Sequence, residues 1–305
     1  MTRAWNRFWF APEPTSTLAL FRIAFGVVVL GWALSLMPDL AAFYGSSGIE
    51  PVAPAYDVPG IWTILAPLDS YAAAVALTVA LAAAALCLIA GYRTRLASLI
   101  VFVGLISLER RSPGVFNSGD GLLRILALFL ALAPAGASLS VDRWRTARDR
   151  FWEFPARAPW ALRLMQVQLS VVYLGSVWEK LHGAPWTDGT AVSYAMQLQD
   201  FQRFAAPDLI SHSMLVSSVM SYWTLAVELM IGILVWNRKA RPVVLALGIG
   251  LHLGIDMTLR IGFFSAAILT AYIVFVSPAA AAGAVLAVRD RVRALTAARR
   301  VPHPA

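Results

Sequence analysis

Among the apolar residues 166–180 stand Gln166, Ser170, Tyr173, Ser176 and Lys180. At ~100° per helical residue these five side chains share an arc of roughly 120°, so one face of a helix is polar. A lysine ending such a stripe is a candidate general base, because an ammonium that is partly removed from water gives up its proton more readily. The competing reading is an amine that snorkels at a helix end while the hydroxyls bond across helices, and the residues alone leave both open. The other ionisable residues in apolar surroundings are few: Arg22, Arg124, Arg163, Glu228, His252 and Asp256, with Glu179 beside Lys180. Each costs at least ~2.5–3.5 kcal/mol to hold at membrane depth, which calls for an offsetting role. Arg163 lies near enough to the edge of its run to snorkel. Arg22 and Glu228 lie inside the inner edges of their runs by roughly 9 and 12 Å at 1.5 Å per residue, which predicts a structural intramembrane ion pair. His252 is either a hydrogen-bond donor to a ligand or a satisfied core histidine.

Familiar soluble chemistries are absent. There is no H-E-x-x-H, no His/carboxylate cluster at ligand spacing, and Cys87 is a lone cysteine inside an apolar run, so neither a metal site nor a disulfide is expected. Phosphate-binding G-x-x-x-x-G-K-[ST] and hydrolase G-x-S-x-G patterns are missing as well.

The elements that must position these residues are membrane helices. Hydrophobic residues make up 59% of the 305 and charged residues 14%, against ~45–50% and ~25% in soluble domains. Residues 16–37, 71–90, 214–236 and 261–288 are nearly free of charge, and 96–108, 121–136, 160–177 and 242–259 form weaker runs. Counted against the ~17–25 residues a spanning helix needs, they predict an all-α polytopic transmembrane helical bundle of about eight spans. Continuous rather than alternating apolarity favours helices over a barrel.

Arginine and lysine alternate from loop to loop as a weaving chain requires. Arg3 and Arg7 precede the first run, and Arg93 and Arg95 separate the second and third. Arg143, Arg145, Arg148, Arg150 and Arg157 separate the fourth and fifth, Arg238, Lys239 and Arg241 follow the sixth, and Arg289, Arg291, Arg293, Arg299 and Arg300 close the chain. Residues 38–70 carry Asp39, Glu50, Asp57 and Asp69 and no basic residue. Both termini are therefore expected in the cytoplasm, with no cleavable signal peptide. Two long loops, 38–70 and 181–213, then face outward, where either could cap a cavity. The net charge of +8 is explained by those inner loops, so nucleic acid is not an expected partner. The expected organisation is a cytoplasmic segment 1–15, a transmembrane domain 16–278, and an apolar-to-basic cytoplasmic tail 279–305 on the anionic leaflet.

Several stretches together resemble one family. Tyr173-Leu174-Gly175, Glu179-Lys180-Leu181, Trp186 and Gly189-Thr190-Ala191 are similar to the Y-x-x-[GS]…K-[LF]…W…G-x-[AS] signature of the HTTM family, the membrane region of vitamin K-dependent gamma-carboxylases and their bacterial relatives. Leu18 to Ile23 with Gly26 resembles the family's opening helix, and Asn117-Ser118-Gly119-Asp120-Gly121 resembles the polar turn before its fourth span. Glu228, Trp236, Arg238, Arg241, His252 and Ile261-Gly262-Phe263-Phe264-Ser265 resemble its E…R…H…G-x-F-[ST] tract.

The resemblance implies an activity. In the carboxylases a lysine matched by Lys180 deprotonates vitamin K hydroquinone. Reaction with oxygen then generates a stronger base that removes a gamma proton from peptide glutamate, so that carbon dioxide adds and the quinone epoxide is left. Carried onto this chain, it implies Lys180 as an outward-facing base, with Tyr173, Ser176, Trp186, His252 and Asn117 around a quinone cavity. The implied cofactor is a reduced isoprenoid quinone of the menaquinol or vitamin K type, without a metal. The chain departs from the carboxylases in ending without their large lumenal domain, which puts peptide carboxylation in doubt. It also has only four histidines, none of them near Asn117. Two readings therefore stand: a quinol-dependent epoxidase or carboxylase-like enzyme, and a non-catalytic membrane module that matures, binds or exports a small peptide or lipid. A transporter is a third, without the internal repeats that would favour it. The expected partners are membrane lipid and a small peptide or quinone, and the expected location is the cytoplasmic membrane of a bacterium.

Overall fold

The apolar runs form helices, the last of them broken into two, in the computed structural model, which describes residues 2–49, 62–68, 70–205 and 207–298. Glu50, Asp57 and Asp69 of the acidic segment and Arg299, Arg300 and His303 of the tail lie outside the described residues. In chain order the helices are α1 (Arg3–Phe10), α2 (Ser16–Leu36), α3 (Leu40–Tyr44), α4 (Tyr71–Ala90), α5 (Thr94–Arg111), α6 (Ser118–Leu132), α7 (Val141–Thr146) and α8 (Trp160–Leu181). They continue as α9 (Ala184–Thr187), α10 (Ala191–Gln197), α11 (Asp208–Ser211), α12 (Met214–Leu234), α13 (Arg241–Thr258), α14 (Phe264–Tyr272) and α15 (Pro278–Ala298). A two-residue antiparallel ladder, β1 (Glu13–Pro14) with β2 (Ala156–Arg157), ties the N-terminal segment to the residues before α8.

Caps set the boundaries. Ser70 Oγ accepts from Ala73 N at 3.2 Å to start α4, and Gly91, at φ +70°, ends it with the Tyr92 N to Cys87 O bond of 2.8 Å. Asn117 and Asp120 form a capping box at the start of α6, with Gly119 N donating to Asn117 Oδ1 at 2.7 Å and Asn117 N to Asp120 Oδ2 at 2.8 Å. Asp120 also accepts from Trp32 Nε1 at 2.7 Å, which locks α6 to α2.

Small residues let the helices approach closely, as expected where lipid supplies no hydrophobic drive between them. A Cβ on Gly26 of α2 would lie 2.8 Å from Ile89 of α4, and one on Gly232 of α12 would lie 2.8 Å from Leu174 of α8. The core between them is aliphatic and aromatic, with Phe21, Phe25, Leu81, Leu105 and Leu123 fully enclosed.

Four segments, Ser16–Tyr44, Tyr71–Ala90, Met214–Leu234 and Arg241–Thr258, are long and apolar enough to cross a bilayer. The pair formed by Phe264–Phe275 and Pro278–Thr296, bent by 107°, makes a fifth if it is one span. Length and composition thus give four or five spans where the runs predict about eight. The shortfall has a physical cause: α5 and α8 carry charged ends, and α6 and α14 are short at 15 and 9 residues.

Basic elements gather at one end of the bundle. Arg163 near the start of α8 pairs with Glu13 and donates to Phe8 O at 3.2 Å, while Arg289 of α15 lies 5.7 Å over the Trp152 ring. The expected Arg22–Glu228 pair does not form. Arg22 belongs to that basic end, donating from Nη1 to Ala135 O at 3.0 Å and Ser138 O at 3.3 Å and from Nη2 to Leu139 O at 2.6 Å. Glu228 is taken by a different cation.

Candidate functional site

The register of α8 against α12 decides which polar residues meet. Trp236 Nε1 donates to Ser170 Oγ at 2.8 Å, Leu174 packs on Gly232, and further along α8 Ser176 and Lys180 reach Glu228. Lys180 Nζ donates to Glu228 Oε1 and, at 3.0 Å, to Ser176 Oγ, and Ser176 Oγ donates to Glu228 Oε2 at 3.2 Å. The Trp186 ring lies 4.9 Å from Nζ and adds a cation–π contact. Side-chain exposure is 20% for Lys180 and 7% for Glu228, so the pair is largely but not wholly removed from water.

The pair borders a cavity of about 660 Å³. Its walls are mostly aliphatic, from Leu122 and Ile125 of α6, Val171 and Val172 of α8, and Ile268 of α14. The segment after α8 runs on beside the first half of α12, held by Val192 N to Ser221 Oγ at 3.2 Å and Ser193 N to Ser217 Oγ at 3.0 Å. It thereby contributes Trp186, Ala191 and Met196 to the cavity. Its far portion is strapped to the end of α13, with Arg203 N donating to Thr258 O at 2.9 Å and Arg260 N to Phe201 O at 2.6 Å. The capping role considered for loop 181–213 is thus filled by α9 and α10.

Deeper along α8, Tyr173, His252 of α13 and Tyr272 of α14 form a buried cluster. Tyr173 OH meets His252 Nε2 at 2.6 Å and also bonds Tyr272 OH. Gly248 makes room for it, since a Cβ there would overlap the Tyr272 hydroxyl. Tyr173 and His252 line the cavity, yet both are only 2% exposed, and His252 Nδ1 is enclosed without a partner among the described residues. His252 therefore supports the cavity through Tyr173 rather than offering a free nitrogen to it.

Of the residues expected at a cavity, Tyr173, Ser176, Lys180, Trp186 and His252 are brought together. Asn117 is not: its side chain is spent as the α6 cap and on Ile261 O at 3.2 Å, because a residue opening a buried helix must satisfy that helix's free N–H groups. Its neighbour Ser118 lines the cavity instead. The polar stripe of α8 splits, with Gln166 and Ser170 consumed by bonds to Val274 O, at 2.6 Å, and to Trp236, while Tyr173, Ser176 and Lys180 face the cavity.

Two partners escape a reading of the sequence. Tyr272 sits in an uncharged run with no local signal, and the depth of Glu228 within its run points to Arg22 rather than to Lys180. Arg124, paired with Glu109 at 2.6 Å, also reaches the cavity wall. Among the described residues no three His, Cys, Asp or Glu side chains gather as a metal site.

A family model described as HTTM domain matches residues 10–279. Comparison with curated proteins and with solved structures gives no match.

Proposed function

Because the chain belongs to the HTTM domain family, we propose that it is a quinol-dependent membrane enzyme related to the vitamin K-dependent carboxylases, with Lys180 as its general base. The observation that carries this reading is the lysine–carboxylate pair bordering a large apolar cavity. Its volume of about 660 Å³ lies within the ~300–1,000 Å³ typical of small-molecule sites. Aliphatic walls with polar groups at the Lys180 pair and at Tyr173 suit a flat ring carrying two oxygens and an isoprenoid tail, so the residues fit a reduced quinone. When bound, the quinol would supply a hydroxyl proton and two reducing electrons.

The protein's contribution is to hold and move that proton. To act as a base Lys180 presents a free amine, and Nζ takes the proton of a hydroxyl in the cavity, whose O–H bond breaks to leave an oxyanion there. The Glu228 carboxylate faces the resulting ammonium and stabilises it, while Ser176 fixes the geometry of both. Trp186 presents a flat face beside the amine, against which an aromatic ring can be placed. Tyr173, clamped by His252 and Tyr272, gives the cavity a rigid wall. With the charge-poor loops outside, Lys180 opens away from the cytoplasm.

A second reading is a non-catalytic module that binds a peptide or lipid in the same cavity. It is favoured by the completeness of the Lys180 surroundings, in which Ser176, Glu228 and Trp186 already satisfy the ammonium. Lys180→Met separates the two. The enzyme reading expects wild-type protein to bind and oxidise a menaquinol analogue, and the variant to lose turnover by about 10²-fold or more with affinity changed less than about threefold. Wild-type protein that binds the analogue without consuming it supports the module. Failure to bind or oxidise any quinol refutes the enzyme.

A further inference from the structure

A second cavity of about 520 Å³ lies between the start of α8, the start of α13 and the α14–α15 junction. Along α8 it is roughly 25 Å from Lys180, the 17 residues from Arg163 at 1.5 Å each. Three guanidiniums border it, those of Arg163, Arg238 and Arg241, against a single carboxylate, Glu13. Glu13 is already committed to Arg163, whose remaining bonds go to Phe8 O and Gln166 Oε1. A formal excess of two positive charges is left.

Two of these charges, Arg163 and Arg241, are held in place by the fold. Arg241 donates from Nε to Val235 O at 2.8 Å and from Nη1 to Phe275 O at 3.3 Å, and its guanidinium lies 5.5 Å over the Phe275 ring. Among the described residues its Nη2 has no partner, and the exposed Arg238 has neither a side-chain hydrogen bond nor an ion pair. Like charges gathered around one hollow repel each other unless an anion completes them, and a planar guanidinium fork matches the oxygens of a phosphate. Leu162, Leu245 and Val274 make the rest of the wall apolar, so the anion it suits has an apolar body or neighbour. Basic hollows between membrane helices on the arginine-rich side are where phosphate headgroups are recognised.

We propose that this cavity binds a phosphate-bearing anion, the chemistry shared by an anionic phospholipid headgroup and a soluble phosphate. Arg238 and Arg241 are its direct ligands, and Arg163 with Glu13 forms the fixed wall behind them. The site is separate from the quinol cavity and does not depend on any reading of it.

The test uses the full chain in nanodiscs. One arm compares phosphatidylcholine discs with discs containing phosphatidylglycerol, and the other titrates inorganic phosphate into phosphatidylcholine discs, with Tm and retained lipid by native mass spectrometry as readouts. Arg238→Glu removes a ligand that has no bond to lose in the fold, and Arg238→Gln is a milder form of the same change. Arg291→Glu, on the exposed face of α15, controls for general attraction to an anionic surface. The expected result is a Tm rise with anion, weakened about tenfold or more in apparent affinity by Arg238→Glu and less than about threefold by Arg291→Glu. A rise in the phosphatidylglycerol arm alone identifies a lipid headgroup, and the same arginine-dependent rise with phosphate identifies a soluble anion. No rise in either arm, or equal losses in the Arg238→Glu and Arg291→Glu proteins, overturns the proposal.

Discussion

At the scale of single residues the central object is the Lys180–Glu228 pair. Removing one partner strands the other at membrane depth, whereas removing both leaves nothing unpaired. Lys180→Met and Glu228→Gln should therefore each destabilise by about 1–3 kcal/mol, and the double variant by less than their sum; thermal unfolding in detergent measures all three. Additive losses would mean that the two side chains do not interact. A second residue-level prediction concerns Asp142, in α7 outside the spans. Burial raises its carboxyl pKa, but the Thr94 hydroxyl and N–H, the Arg93 N–H and the Arg22 charge together hold it below the usual carboxylate value. A depressed folded pKa means stability that is present above the unfolded carboxylate value of ~3.9 and lost as pH falls through the lower folded value. Asp142→Asn should cost about 1–2 kcal/mol at pH 7. The gap to wild type should shrink below about pH 4, as Tm against pH would report. Lys180, Ser176 and Tyr173 were legible as chemistry because polar residues among apolar ones stand out in sequence. Glu228 was equally conspicuous, but its partner was not legible, since depth within a run matches it to more than one cation.

At the scale of elements the missing information was register. The sequence places Lys180 at the outer end of α8 and Glu228 well inside α12, which argues against a pairing. In the fold α12 extends past the end of α8, and α9 and α10 occupy the space beside its first half, so Lys180 meets the middle of its neighbour. No local periodicity reports such an offset, because it is set by Trp236 on Ser170 and by Leu174 against Gly232. Gly232→Leu should consequently slide or separate α8 and α12. The expected outcome is loss of ligand binding in the 660 Å³ cavity together with destabilisation of about 1–3 kcal/mol, measured by quinone-analogue titration and thermal unfolding. Gly91 is another backbone position where a side chain does not fit. It combines φ +70° with an approach in which a Cβ would lie 2.6 Å from Arg22 Nη1. Gly91→Ala should cost about 2 kcal/mol or more and loosen the Arg22 anchor, again visible in Tm.

At the scale of the whole molecule, composition established a helical membrane protein directly, and the family match over residues 10–279 agrees with the motifs read from the chain. The number of spans was less legible. Apolar runs and crossing helices coincide only where a helix is both long and free of charge, and here α5, α6, α8 and α14 each fail one condition while still packing into the bundle. The cavity was not legible as a volume at all, because it is bounded by α6, α8, α10, α12, α13 and α14, which only the assembled fold brings together. Its two polar clusters, one at the Lys180 pair and one at Tyr173, give a bound molecule a defined orientation. The most direct test of that claim is an experimental structure of the full chain with a menaquinone analogue. The account expects the ring inside the cavity beside Trp186, with one ring oxygen within hydrogen-bond reach of Lys180 Nζ. A ring seated elsewhere, or a cavity filled only by lipid tails with the Lys180–Glu228 pair undisturbed, would contradict it.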